Sequence, residues 1–122
     1  MTMQTADQIA AAFVNRWENT WNSSGAEGAA KLYTPDSVLV GAAIAVGQPA
    51  IERALGTLFQ QGWTRICIKH VNARAVGGNV LVACEFAAQG SGPNAGKSLN
   101  GRSSHVLTQV GDTWLSAMHS AA

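Results

Sequence analysis

Histidine and cysteine are the residues of this chain that could carry acid/base, nucleophilic or metal chemistry near neutral pH. The three histidines, His70, His105 and His119, occur at no HExxH or other metal-ligand spacing, and neither Cys67 nor Cys84 belongs to a CxxC motif. The sequence also contains no GxSxG nucleophile motif. It therefore predicts no metal site and no cofactor, and leaves acid/base chemistry by a histidine.

His105 is the strongest candidate for such chemistry. An imidazole in an otherwise uncharged interior could act as an acid or a base near neutral pH. The alternative is that His105 only makes a structural hydrogen bond to Ser103, Tyr33 or a backbone group. No partner carboxylate is evident in the sequence, so both interpretations stay open.

Other polar residues have a plain structural interpretation. Glu85 interrupts an apolar run and could be a buried acid, but such a residue more often faces solvent or a partner on an antiparallel strand. Arg102 could bind a ligand carboxylate, although a surface ion pair is more common. Asp36 indicates a turn, and the two cysteines are expected to be small core residues.

Residues 90–95, GSGPNA, formally match the GxGxxG/A pattern of dinucleotide binding. That pattern works by placing a pyrophosphate on the N-terminus of a helix, and here a strand follows instead. We interpret the segment as a flexible hairpin loop.

Three helices are predicted in the first half of the chain. Thr5 and Gln8 have the spacing of a capping box, and a break follows at residues 22–25. Between them runs an apolar stripe with a four-residue repeat, formed by Ile9, Phe13, Trp17 and Trp21. A second helix is predicted for residues 26–33. It should end before Thr34, because the residue that precedes Pro35 avoids helical geometry. A third opens at residues 47–49 and carries on one face Ile51, Leu55, Leu58 and Phe59.

Strands make up the rest of the chain. A buried strand is predicted for residues 37–46, and four further strands for residues 63–76, 80–89, 99–110 and 113–120, separated by glycine-containing turns and loops. Helices followed by a meander of strands indicate an antiparallel α+β fold with the helices on one face. We expect a single domain over residues 1–122, because the chain has no linker or repeat.

The composition limits the partners. A net charge of +1 without a basic cluster argues against nucleic acid, and no apolar run reaches the length of a membrane span. Charged residues make up only 12% of the chain, which suggests that a partner covers part of the surface. Unpaired cysteines and the lack of a signal peptide predict a cytoplasmic location.

Four segments, in their order along the chain, resemble the nuclear transport factor 2-like superfamily, which includes ketosteroid isomerases and SnoaL-like polyketide cyclases. The segments are RW at 16–17, LYTPDSVLV at 32–40, GQPAI at 47–51 and GRSSHVLTQVGDTWLSAMHS at 101–120. The resemblance implies a cystatin-like cone, in which a curved antiparallel sheet and three helices enclose an apolar pocket for a small hydrophobic molecule. It also implies a homodimer formed through the outer face of the sheet.

The catalytic residues of ketosteroid isomerases are only partly matched. By the spacing of that family, Trp17 stands where a tyrosine donor is expected, and Gly41 stands where the carboxylate base is expected. Alignment from the final turn places His105 at or next to the second donor. The resemblance therefore implies the pocket but not the standard isomerase base.

Strand alternation and this alignment together predict which residues face the pocket. On residues 99–110, Ser103, His105 and Leu107 should point inward. On residues 113–120, Trp114, Ser116 and Met118 should point inward and His119 to the other face. Besides His105, the expected pocket residues are Trp17, Tyr33, Leu39, Gly41, Leu58, Phe59, Ser103, Trp114 and Met118.

Three functions fit these expectations, since a fold alone does not determine one. The first is an isomerase- or cyclase-type enzyme, in which His105 is the acid or base and Tyr33 and Trp17 are donors or pocket walls. The second is a non-catalytic module that binds a small ligand or assists another protein. The third is a structural dimer whose interior is filled by its own side chains. An open cavity between His105 and Tyr33 would favour the first two, and a filled interior the third.

Overall fold

The computed structural model describes residues 4–122, which form two α-helices and one six-stranded sheet. The helices are α1 (Ala6–Ala30) and α2 (Gln48–Gln60), and a short 3₁₀ turn covers Gly92–Asn94. The strands are β1 (Tyr33–Val40), β2 (Ile44–Val46), β3 (Trp63–Val76), β4 (Asn79–Gly90), β5 (Ser98–Val110) and β6 (Thr113–Ala121). The predicted α+β class is confirmed.

The first helix is longer than predicted. It begins at the expected capping box, in which the Thr5 hydroxyl accepts from the Gln8 amide at 3.1 Å and the Gln8 side chain accepts from the Thr5 amide at 2.9 Å. It then bends at Gly25, where φ is 64°, a conformation that suits glycine, and continues to Ala30. Two helices are counted instead of the predicted three, because the predicted second helix is joined to the first as the end of α1; the predicted break between them is present at Gly25, whose φ and ψ are not helical. Tyr33, expected at a helix end, opens β1 instead.

The strand predicted for residues 37–46 is a hairpin. The chain reverses after β1, where the Gly41 amide donates to the Ala43 carbonyl at 2.9 Å, and β2 pairs antiparallel with β1. On its other side β1 pairs in parallel with β6, so the sheet is not purely antiparallel as predicted. This pairing places Tyr33 opposite Ser116.

The strand order is β2-β1-β6-β5-β4-β3, which leaves β3 at an edge of the sheet. Polar side chains of α1 form hydrogen bonds with some of the backbone groups of this edge strand. The Asn22 amide accepts from the Ile66 N–H at 2.8 Å and donates to the Ile66 carbonyl at 3.0 Å, and Glu18 accepts from the Ile68 N–H at 2.8 Å. These bonds pair backbone groups that an edge strand otherwise exposes, and they fix α1 over the sheet.

The core lies between the two helices and the inner face of the sheet. Its largest fully buried side chains include Phe13, Tyr33, Ile51 and Leu107. The outer face carries a line of apolar side chains across five neighbouring strands, here called the outer apolar row: Val46, Val38, Met118, Val106 and Leu81. A hollow of about 360 Å³ lies along it, with Arg74, Leu81 and Met118 among its lining residues.

No helix within residues 4–122 is both long and apolar enough to cross a bilayer. The cytoplasmic location stays a prediction.

Candidate functional site

An irregularity in β6 determines which side chains reach the interior. His105 is opposite His119, and Leu107 is opposite Ser116, so two steps along β5 match three along β6 and one residue of β6 is extra. A bulge of this kind shifts every following side chain to the other face. His119 is consequently 7% exposed and Met118 41% exposed. The predictions that His119 points outward and Met118 inward are both wrong.

The bulge completes a buried group that we call the interior polar cluster: Trp17, Tyr33, His105, Ser116 and His119. The Trp17 indole Nε1 donates to the Tyr33 hydroxyl at 3.1 Å, and that hydroxyl lies 2.7 Å from His119 Nδ1. The imidazoles of His119 and His105 stack with ring centroids 3.9 Å apart and 21° between their planes. His105 Nδ1 lies 2.9 Å from the Ser116 hydroxyl.

Four elements hold this cluster in place. α1 supplies Trp17, whose ring stacks on Trp21 at 5.3 Å, and the first residue of β1 supplies Tyr33. The adjacent strands β5 and β6 supply the two histidines as directly opposed residues on the inner face. Phe13 from α1 packs edge-on against His105, with ring centroids 5.1 Å apart. The cluster is therefore enclosed by aromatic rings.

Burial keeps the cluster uncharged. It lowers the pKa of His119 to about 4. The pKa of His105 is well below its ordinary value, chiefly because of burial and secondly because a charge on His119 would repel its own. Burial likewise raises the pKa of the Tyr33 hydroxyl, against a smaller opposing effect of the Trp17 hydrogen bond. At neutral pH both imidazoles are neutral and the phenol keeps its proton.

Not every hydrogen-bonding atom of the cluster has a partner. Each imidazole uses its Nδ1 atom in a hydrogen bond, and neither Nε2 atom has a hydrogen-bond partner within residues 4–122. Ser37, on β1 between Tyr33 and Leu39, is fully buried, and its hydroxyl has no partner among the described residues. Buried polar atoms without partners are costly, and Ser37 Oγ and Arg16 Nε are such atoms. The two Nε2 atoms are not fully enclosed, since the imidazoles keep 6% and 7% exposure, but their hydrogen-bonding capacity is not used by other side chains.

The expected partners of His105 were Ser103, Tyr33 or a backbone group, and the structure instead pairs it with Ser116. Tyr33 joins the cluster through His119, the histidine that sequence reasoning placed outside. Of the predicted pocket residues, Leu39 is buried opposite His119, and Ser103 and Trp114 are partly buried. The remaining ones are exposed: Gly41, Leu58, Phe59 and Met118.

The other polar candidates lie away from the cluster. Glu85 and Arg102 are exposed and opposed to each other on the outer face. This agrees with the plain interpretation of Glu85, whereas Arg102 makes no ion pair within residues 4–122. Asp36 lies within β1 and accepts from the Thr34 hydroxyl at 3.0 Å. Cys84 is buried as expected, but Cys67 is exposed, so its prediction as a core residue is wrong. The described residues contain no cluster of metal-binding side chains.

An aromatic column connects the cluster with the surface. Phe59, at the end of α2, is 36% exposed and packs edge-on against Trp21 at 5.4 Å. Trp21 stacks on Trp17, whose ring lies 6.3 Å from that of His119. Two rings at the surface end of this column therefore separate solvent from Trp17.

Comparison with known proteins identifies the fold. No family model and no curated protein matches the sequence. A ketosteroid isomerase-like protein from Erwinia carotovora atroseptica is structurally similar at 14% identity, with a TM-score of 0.77 over 93% of this chain and 92% of that one. An NTF-2-like protein of unknown function from Shewanella oneidensis is 10% identical, with a TM-score of 0.80 over 96% and 98% of the two chains.

A third solved structure is a hypothetical protein with a ketosteroid isomerase-like fold from Catenulispora acidiphila, in complex with trimethylamine. It is 14% identical, and the match covers 90% of this chain and 83% of that one with a TM-score of 0.64. All three similarities extend over nine tenths or more of this chain. The chain therefore has the nuclear transport factor 2-like fold.

Proposed function

We propose that this chain is a binding protein for a small, uncharged and largely hydrophobic molecule, which contacts the interior polar cluster. The observation that carries the proposal is the pair of neutral imidazoles with unused Nε2 atoms in an interior lined mainly by aromatic rings. Apolar surroundings with a few oriented polar atoms are typical of small-molecule sites. The structural neighbour that binds trimethylamine supports the use of this fold for a small ligand.

His119 fills the space between His105 and Tyr33, which is the outcome expected for a structural dimer; the unpaired polar atoms of the interior are what favours a ligand instead. A core made only of apolar side chains would avoid the cost of burying two imidazoles, a phenol and a hydroxyl group. Cores of this size usually pair nearly all of their buried polar atoms, whereas this one leaves Ser37 without a partner among the described residues. A ligand with matching polar atoms would supply the missing hydrogen bonds.

The ligand reaches the cluster by displacing the aromatic column. Both imidazoles are nearly buried, at 6% and 7% exposure, so binding requires side chains to move. Phe59 is the exposed end of the column and lies against Gly25, the bend of α1. Rotation of the Phe59 and Trp21 rings would open a path along α1 towards Trp17 and His119.

Acid/base catalysis by His105 stays a prediction, and it is limited to substrates with comparatively acidic protons. A low pKa makes the neutral imidazole a weak base, so His105 could remove protons only from comparatively acidic groups. No carboxylate contacts either imidazole within the described residues. We therefore favour binding over turnover, and an isomerase- or cyclase-type reaction is the second candidate.

The binding proposal can be tested with acetophenone as a probe. Titration of the ¹⁵N-labelled protein should shift the indole N–H signal of Trp17 in a saturable manner, and the signal of Trp114 should move less because Trp114 is not in the cluster. Phe59→Ala should accelerate binding because it removes the outer ring of the column. Saturable shifts confined to residues of the outer face, or no shifts with acetophenone, benzamide or benzoate, would refute the proposal.

We also propose that the protein forms a homodimer through the outer apolar row. Met118 and Leu81 in that row are 41% and 39% exposed, and Val46 is 66% exposed. Contiguous apolar surface of this kind is typical of protein interfaces. Beside the row, Lys69, Glu85 and Arg102 form a line of alternating charge across three strands, which can match its own copy after a two-fold rotation.

A further inference from the structure

The hydrogen bonds around the two imidazoles determine which ring nitrogen carries the proton. An indole N–H can only donate, so the Tyr33 hydroxyl accepts from Trp17. The remaining role of that buried hydroxyl is to donate its proton to His119 Nδ1, 2.7 Å away. A neutral imidazole that accepts at Nδ1 carries its proton on Nε2. His119 therefore presents an N–H donor at Nε2.

Ser116 imposes the opposite arrangement on His105. The Ser116 hydroxyl donates its one proton to the Met118 carbonyl at 3.1 Å. It therefore accepts from His105 Nδ1 at 2.9 Å, and that nitrogen must carry the proton. The Nε2 atom of His105 is then an unprotonated acceptor. Tyr33 and Ser116 act as positioning residues, because each fixes the tautomer of one histidine.

We propose that the stacked pair presents one donor, His119 Nε2–H, and one acceptor, His105 Nε2, to a ligand whose polar end is a carboxamide or lactam. Such a group has a carbonyl oxygen and an N–H side by side, and because the stacked rings lie 3.9 Å apart it could bond one Nε2 atom of each. A ketone matches the donor only and leaves the acceptor unpaired. A carboxylate matches it no better, because its second oxygen has no proton to donate and would face the His105 lone pair.

This inference rests on the proposed binding function and specifies its ligand. The aromatic rings of Phe13 and Trp17 beside the imidazoles favour a flat, apolar body for the rest of the molecule. Benzamide, acetophenone and benzoate have this body and differ at the polar end alone. They are therefore matched probes for the proposed donor and acceptor.

The tautomers can be measured without any ligand. Long-range ¹H–¹⁵N spectra of the wild-type protein at pH 7 should show His105 protonated at Nδ1 and His119 protonated at Nε2. His70→Asn, His105→Phe and His119→Phe assign the three histidines. Ser116→Ala should convert His105 into a mixture of tautomers and leave His119 unchanged. The same tautomer for both buried histidines in the wild type would overturn the inference.

Ligand selectivity provides the second test. Wild-type protein should bind benzamide roughly threefold to tenfold more tightly than acetophenone, since one further hydrogen bond is formed, and benzoate most weakly. His105→Phe should abolish the preference for benzamide by removing the acceptor, and Ser116→Ala should reduce it.

The possible results separate the two proposals. Equal affinity for benzamide and acetophenone would overturn the proposed ligand class but leave the binding function standing. Failure of all three probes to bind would overturn both the ligand class and the binding function.

Discussion

At the scale of single residues, the cluster shows what the sequence could and could not predict. His105 was identifiable, because it lies in a regular strand where alternation places it on the inner face. His119 was placed on the wrong face, because one extra residue in β6 reverses the alternation. Nothing in the run of small and apolar residues around Ala117 marks the bulge. Its cause is the long-range pairing of β6 with β5 and β1.

Tyr33 should be the residue of the cluster most sensitive to loss of a polar atom. Tyr33→Phe removes a hydroxyl that is bonded to both Trp17 and His119 and leaves their nitrogens unpaired in the core. We expect a loss of about 1–3 kcal/mol in the free energy of unfolding, measured with urea. Ser23→Ala, which removes an exposed hydroxyl, should change it by less than about 0.5 kcal/mol. An unchanged stability in Tyr33→Phe would contradict the described hydrogen bonds.

The buried histidines should make stability depend on pH in the acidic range. The folded-state pKa of His119, about 4, is below its unfolded value, so the unfolded chain binds more protons between roughly pH 6.5 and 4. Stability should therefore be fully present above pH 6.5 and fall as the pH decreases to about 4, and His105 adds an effect of the same sign.

Urea unfolding at a series of pH values measures this dependence. His119→Phe should reduce the slope of unfolding free energy against pH, whereas Ser23→Ala, which removes an exposed hydroxyl and no titrating group, should keep it. A wild-type stability that rises between pH 6.5 and 5 would contradict the buried neutral pair.

At the scale of elements, boundaries set by local chemistry were predicted and those set by distant pairing were not. The capping box of α1 was located correctly, because Thr5 and Gln8 bond across three residues. The β1–β2 hairpin was missed, since residues 41–43 contain one glycine and two alanines and lack a strong turn signal. The parallel pairing of β1 with β6 joins residues more than 80 positions apart, and no local pattern encodes it.

The bend of α1 should require glycine. In Gly25→Ala the new methyl group would lie 3.0 Å from the Phe59 ring, and φ of 64° is unfavourable for alanine. We expect destabilisation of more than about 1 kcal/mol by urea unfolding. Gly56→Ala in α2 is the matched control: its nearest contact would be 4.0 Å, and higher helix propensity should leave stability unchanged or raise it. Equal effects of the two substitutions would contradict the described bend.

At the scale of the whole molecule, the order of helices and strands was sufficient to predict the fold class despite the errors in individual boundaries. The low share of charged residues predicts a covered surface, and we propose that the outer apolar row is that surface. The sequence alone does not locate this row, because regular alternation along β6 would place Met118 in the interior. Because of the bulge in β6, Met118 lies at the proposed dimer interface and not in the predicted pocket.

The proposed dimer predicts a specific loss of association. Met118→Lys places a charge within the outer apolar row and should shift the protein from dimer to monomer in sedimentation-velocity experiments, because an unpaired charge would be buried at the interface. Val71→Lys changes an apolar side chain that is 56% exposed but lies outside the row, and it should leave the dimer intact. A monomeric wild-type protein at micromolar concentration would contradict the proposal.

The central claim is that the stacked imidazoles of His105 and His119 form the polar part of a ligand site. A crystal structure of the protein with benzamide tests it most directly. The account predicts benzamide between Trp17 and the two imidazoles, with its carbonyl oxygen bonded to His119 Nε2 and its amide nitrogen bonded to His105 Nε2. Benzamide bound only on the outer face, or a closed and unoccupied interior at saturating benzamide, would contradict it.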